Sequence, residues 1–215
     1  MTEIVGEVSW NERLEEYFAS SGEKAHCLSM LHKQSESLYS YRRTFIELPV
    51  IVGSGLIGFL NAGSSSMFSD ARMSSIALGV GSLVVSILQT INAYFNWSKR
   101  AEGHRIAAIQ YGKLYRLLSL EMSLPRNERA SPTDLLKSTK DTYDRLQEIS
   151  PLLPSEVLND FKKKYNNEKY KDISKPEESN GLEKIEVFIE NPMRKQPSSA
   201  SLSIGASGTA SATDT

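Results

Sequence analysis

Residues 50–58 read VIVGSGLIG, and the role given to their three glycines decides the fold. Gly53, Gly55 and Gly58 match G-x-G-x-x-G after an apolar run, the spacing by which a strand, a tight turn and a helix N-terminus cradle a dinucleotide pyrophosphate. That reading needs an amphipathic helix after Gly58 and a second strand ending in an acidic residue roughly 20 positions on. The next residues, FLNAGSSSMFSDAR, have neither helical amphipathicity nor a second strand before Asp70. No strand-helix alternation appears downstream, so the glycines do not serve a cofactor.

Charge spacing supplies the better reading. No charged residue occurs in the 22 positions from Leu48 to Ser69, nor in the 26 from Met73 to Ser98. As helices these are about 33 and 39 Å long, enough to cross a hydrocarbon core of about 30 Å. The first is strongly apolar only over LPVIVGSGLIGFLNA, a length that a buried helix of a soluble bundle also has. The second ends in Tyr94, Phe95 and Trp97, as an interfacial aromatic belt does. With only GSSSMFSDAR between them, two spans form an antiparallel hairpin. Ser54-x-x-x-Gly58 and Ala77-x-x-x-Gly81 are small-x-x-x-small pairs of the kind that let helices approach closely in lipid.

Arg42 and Arg43 precede the first span, Lys99, Arg100 and Arg105 come after the second, and the loop has only Arg72. The positive-inside rule then predicts a multi-pass membrane protein with both termini in the cytoplasm. In that orientation the sequon Asn96-Trp97-Ser98 stays unmodified.

At 100° per residue, Ser75, Ser82, Ser86, Gln89 and Asn96 fall within about 80° of one another on the second helix. Glu47, Ser54, Gly58, Asn61 and Ser65 fall within about 60° on the first. Each stripe has two readings: a face where helices pack and hydrogen-bond, or the lining of a water-filled path with Glu47 at its cytoplasmic mouth. One hairpin cannot enclose a pore, so the second reading requires a homo-oligomer.

Outside the spans, Ser9 and Glu12 form an S-x-x-E capping box before a short helix with Trp10, Leu14, Tyr17 and Phe18. After Ser20-Ser21-Gly22 a second helix carries Leu28, Leu31, Ser35, Leu38 and Phe45. Ile106, Ile109, Leu114, Leu117 and Leu118 extend the second span as a helix to Leu124-Pro125. Ser131-Pro132-Thr133-Asp134 starts a further helix with Leu135, Thr139, Tyr143, Leu146 and Ile149 on one face. Ser150-Pro151 and Pro154-Ser155 punctuate the chain before a last short helix from Val157 to Tyr165. Order is expected to fade from Lys175. LEKIEVFIE reads as a strand or docking peptide, and residues 198–215 are 15 of 18 Ser, Thr, Ala or Gly, too little apolar surface to offset chain entropy. The predicted organisation is therefore N-terminal cytosolic helices over 1–46, the hairpin over 47–98, C-terminal cytosolic helices over 99–172 and a mostly disordered tail over 173–215.

Composition narrows function by exclusion. A formal net charge of −1 over 215 residues, with no long basic run, gives no nucleic-acid footprint. The start carries Glu3, Glu7, Glu12, Glu15 and Glu16 and has no apolar core, so it is not read as a secretory signal. Cys27 is the only cysteine, which excludes an intrachain disulfide and a cysteine-based zinc site. His26, His32 and His104 lack metal-motif spacing and read as histidines on amphipathic helix surfaces. No nucleophile elbow or phosphate loop is present, so neither an enzyme nor a cofactor is expected.

LHKQSESLY at 31–39, before the first span, and NWSKRAEGHRIAAIQYGKLYRLL at 96–118, after the second, resemble the SLATT family of two-transmembrane effector domains. Trp97, His104, Ala107, Tyr111 and Leu114 sit at helical spacing there, and the resemblance covers about residues 25–165. It implies an oligomeric effector that forms a pore or perturbs the membrane, of a kind also encoded in large DNA viruses, with no catalytic residues. The alternative is a non-catalytic membrane anchor or scaffold, such as a virion membrane component, whose C-terminal helices and tail bind a cytosolic partner.

Overall fold

A computed structural model describes residues 8–63 and 70–181. Most of the inter-span loop, Ser65, LEKIEVFIE and the Ser/Thr/Ala/Gly tail lie outside the described residues. The described chain is all-α, with no strand among those residues. The described residues all fall in one compact unit.

Helix α1 runs unbroken from Glu12 to Ala62, 51 residues or about 76 Å. The two separate helices expected before the first span are thus one. Ser20-Ser21-Gly22 does not interrupt it because Gly22 sits where α1 crosses a later helix: a Cβ there would lie 3.4 Å from Leu118 Cβ. The cost of about 1 kcal/mol for a helical glycine is offset by that close contact. The N-cap is Asn11, whose Oδ1 accepts from Leu14 N at 2.9 Å, rather than Ser9. Asn11 holds the extended backbone that a cap requires, one residue before the acidic first turn.

Helix α2 spans Ala71–Phe95, opened by Asp70, whose carboxylate accepts from Arg72 N at 2.8 Å. Helix α3 begins at once, Trp97–Ser123. Between them Asn96 is left-handed, with φ 48° and ψ 47°. The second helix therefore continues past the apolar segment as expected, but with a joint. Asparagine is among the few residues with a side chain that visit this region readily. Asn96 N still donates to Asn92 O at 3.0 Å and Arg100 N to Asn96 O at 3.2 Å, so backbone bonding persists across the joint.

Helices α4, Pro132–Ile149, and α5, Ser155–Tyr165, complete the larger elements, before a 3-10 turn at Glu168–Tyr170 and a short α6, Glu177–Asn180. Pro132 takes the first helical position as read from the sequence. α1 packs along both α2 and α3, with α4 against α3 and α5 against α1. The core of this assembly is Phe18, Leu28 and Leu31 from α1 with Tyr111 and Leu118 from α3. Leu135 and Leu146 from α4 and Val157 and Phe161 from α5 close it.

Three polar clasps hold the ends. Glu15 accepts from Arg126 through both oxygens at 2.8 Å and from Arg129, tying the start of α1 to the α3–α4 connection. Hydrogen bonds from Arg126 and then Arg129 hold the Glu15 carboxyl down at about 2. Arg42 donates to both oxygens of Glu156 at 2.9 and 2.7 Å. Beyond α5, Ser174 N donates to Glu23 Oε2 at 2.7 Å and Lys175 Nζ to Tyr165 O at 2.9 Å, so the packed chain extends past Lys175 to the α6 turn.

Two helical segments, within α1 and along α2 into α3, are long and apolar enough to cross a membrane, and almost none of their apolar windows is buried inside the protein. For a soluble bundle such windows would be core and covered.

Candidate functional site: the two faces of the helical hairpin

The contact between α1 and α2 is made by a narrow seam. On α1 the half-buried positions are Val50, Gly53, Ile57 and Leu60; on α2 they are Leu78, Gly81, Val85, Leu88 and Asn92, with Ser74 fully buried. Glycines make it close. A Cβ at Gly53 would lie 3.1 Å from Val85 Cγ2, and one at Gly81 would lie 3.3 Å from Ile57 Cδ1. Each glycine receives a branched side chain from the opposite helix.

This corrects the small-residue pairs read from the sequence. Gly81 is in the seam, but Ser54 and Ala77 are exposed and a Cβ at Gly58 would meet nothing within 4 Å. The pattern small-x-x-x-small marks faces that could pack, and α1 offers two overlapping candidates one residue apart. Gly53 prevails because Val50, Ile57 and Leu60 share its face and supply the contact area, which Ser54 and Asn61 do not.

Gly53→Leu should therefore wedge the hairpin open, at a cost of about 1–3 kcal/mol for overpacking a tight contact. A cysteine pair at Ile57 and Gly81 reports it: oxidative cross-linking should be efficient in the parent and fall severalfold with Gly53→Leu. Equal yields would show that the seam tolerates the added bulk.

The stripe residues lie elsewhere. Ser54, Gly58, Asn61, Ser75, Ser82, Ser86 and Gln89 are all exposed. Glu47 is part-buried and accepts from Arg43 Nε at 2.8 Å, one helical turn earlier, so its charge is already paired. Asn96 is exposed too, and its role is the left-handed joint.

The two stripes nevertheless come together. At 100° per residue each is displaced from its own seam by about 80–90° in the direction of increasing residue number. Antiparallel helices wind in opposite senses when viewed from one end, so equal displacements from facing seams bring both stripes to the same side. One broad face of the hairpin thus carries Ser54, Gly58, Asn61, Ser82, Ser86 and Gln89. The opposite face carries Val52, Leu56 and Phe59 with Val80, Val84 and Ile87, each at least half exposed.

Sequence reading missed a buried pair. His32 and His104 are not surface histidines: they are 2% and 1% exposed, with Nδ1 atoms 2.9 Å apart across the α1–α3 contact. Tyr111 stacks on His32 at 5.6 Å and Tyr39 on His104 at 5.4 Å. Such a distance requires one ring to donate and the other to accept. Burial foremost, with the neighbouring charge of His104 or Arg100 second, holds each imidazole down at about 4. The signal was present: His32 comes after Ala25 and Leu28 at core spacing, and His104 precedes Ala107, Tyr111 and Leu114.

Among the described residues no group of three or more His, Cys, Asp or Glu side chains could hold a metal ion. The chain matches no protein-family model, no curated protein and no solved structure.

Proposed function

We propose that the protein is a two-span integral membrane hairpin whose copies assemble with their polar faces toward a common axis, forming a pore or perturbing the bilayer. The observation that carries this is the placement of both polar stripes on one exposed side, opposite an entirely apolar face. In lipid, the apolar face meets acyl chains, while serines, Asn61 and Gln89 gain from meeting one another or water. The basic residues flanking the spans support an orientation with both termini in the cytoplasm, by the positive-inside rule. The chain's resemblance to SLATT effectors agrees with this reading, and the joint at Asn96 is where cytosolic helices would act on the spans.

The same face also suits dry helix packing in a membrane anchor or scaffold, because Ser54, Gly58, Ser82 and Ser86 are small and Asn61 and Gln89 can hydrogen-bond between helices. Leakage of an encapsulated dye from liposomes containing the full-length protein separates the two. Wild type should release dye, and Ser82→Leu with Gln89→Leu should reduce release by about tenfold or more while cross-linking still reports oligomers. An inserted, oligomeric wild type that releases nothing would make the face a packing surface.

A further inference from the structure

The helices after the hairpin carry an exposed apolar tip among the described residues. Leu152 is 94% exposed, more than any other large apolar side chain among the described residues, and Ile149 three residues earlier is 61% exposed. Both lie at the turn from α4 to α5, SPLLP over 150–154. The turn is held firmly. Pro151 packs on α3 at Gly103, where a Cβ would lie 3.5 Å from Pro151 Cγ, and Glu156 just beyond is gripped by Arg42.

Those contacts fix its position along the long helices. The α3–α4 connection is bound to Glu15 at the far end of α1, so α4 runs from that end toward the apolar segments and the turn is its near tip. Arg42 stands six residues before Leu48, about 9 Å of helix from the first apolar span. Along α1 from there toward the span, Tyr41 and Phe45 are 70% and 69% exposed and stack at 6.4 Å, sharing a shallow pocket with Thr44, Leu48 and Pro49. Lys99 and Arg100 are exposed just beyond the second apolar segment, while Arg43 is paired with Glu47. An exposed leucine on a held turn, the exposed Tyr41–Phe45 pair and the exposed cations Lys99 and Arg100 match the interface of an anionic bilayer, where apolar tips enter and basic residues meet phosphates.

We infer that the α4–α5 turn docks on the cytoplasmic surface of the membrane, with Leu152 entering the headgroup layer of anionic phospholipid. This rests on the proposed membrane hairpin. It makes the lipid surface a second contact for the cytosolic helices and fixes their orientation about the Asn96 joint.

The test uses full-length protein in vesicles of phosphatidylcholine and phosphatidylglycerol carrying a nitroxide lipid as quencher. One variant bears a dye at Ser155→Cys, beside the turn, and a control bears it at Ile87→Cys, in the middle of α2. Cys27 stays in place, since it is buried and its thiol is pushed up to about 11. The expected result is quenching of both dyes, with Leu152→Glu reducing quenching at position 155 by about threefold or more and leaving position 87 unchanged. Quenching at 87 without quenching at 155 overturns the docking and leaves the hairpin standing. Quenching at 155 that ignores Leu152→Glu removes the leucine as anchor. Absence of quenching at both positions overturns the docking together with the membrane reading.

Discussion

Tyr111→Ala should destabilise the packed helices outside the apolar hairpin by about 3–5 kcal/mol, the range for emptying the site of a large buried aromatic side chain. Tyr111 is 2% exposed and stands where three elements meet. Its ring stacks on His32 of α1 at 5.6 Å and meets Tyr143 of α4 edge-on at 6.1 Å, while its own helix supplies Leu114 and Leu118 to the same core. Replacement by alanine leaves a void that long helices fixed at both ends cannot close, and it uncovers the histidine pair. Tyr111→Phe keeps the ring and should cost far less, about 1 kcal/mol. Denaturation of the detergent-solubilised protein, followed by near-ultraviolet circular dichroism, measures both. A drop below about 1 kcal/mol for Tyr111→Ala would mean that the three helices do not share one core.

The second large effect is acid loosening of the same region. His32 and His104 ionise in the folded protein at about 4, against an ordinary value of 6.5. Above pH 6.5 both states hold neutral imidazoles and stability does not change on this account. Below it the unfolded chain takes up protons that the folded chain refuses until about pH 4, so stability falls as pH falls from 6.5 to 4. At 1.36 kcal/mol per pKa unit the pair accounts for up to a few kcal/mol. Two facing Nδ1–H groups at 2.9 Å cannot both be donors, which sharpens the loss at the acid end.

Glu15 separates from this by its window. Its folded value of about 2 against an ordinary 4.5 means that its contribution is lost as pH falls from 4.5 through 2. Stability measured from pH 7.5 to 4.5 should therefore decline in the wild type and stay nearly flat in the double variant His32→Leu, His104→Leu. Parallel profiles would show that the pair is not what resists protonation. His104→Leu alone leaves His32 Nδ1 buried without its partner and should be less stable at pH 7 than the double variant.

How much of this was legible depends on what each signal reports. Absence of charge over 48–69 and 73–98 marks two apolar helices, because desolvating a charge is costly wherever such a helix lies. The Ser131-Pro132 start and the Leu135, Leu146 face of α4 were legible because caps and helical period are local properties of the chain. Other local signals misled. Ser20-Ser21-Gly22 reads as a break, and Ser9-x-x-Glu12 reads as a cap, until packing against Leu118 and the geometry of Asn11 override them. The polar stripes were legible as stripes; that they stand outside the seam and on one side was not, because this depends on which face of each helix meets the other.

By itself, then, the sequence determined where helices form, how long and how apolar they are, and which residues share a face on each. Tertiary structure decided which faces meet: Gly53 with Val85, Gly81 with Ile57, His32 with His104, and Asn96 as the joint between an apolar helix and its more polar continuation. The physical reason is range. Periodicity and capping act within a few residues, whereas the choice among competing faces is made by close packing between segments far apart in the chain, 72 residues for His32 and His104, a separation that local pattern does not record.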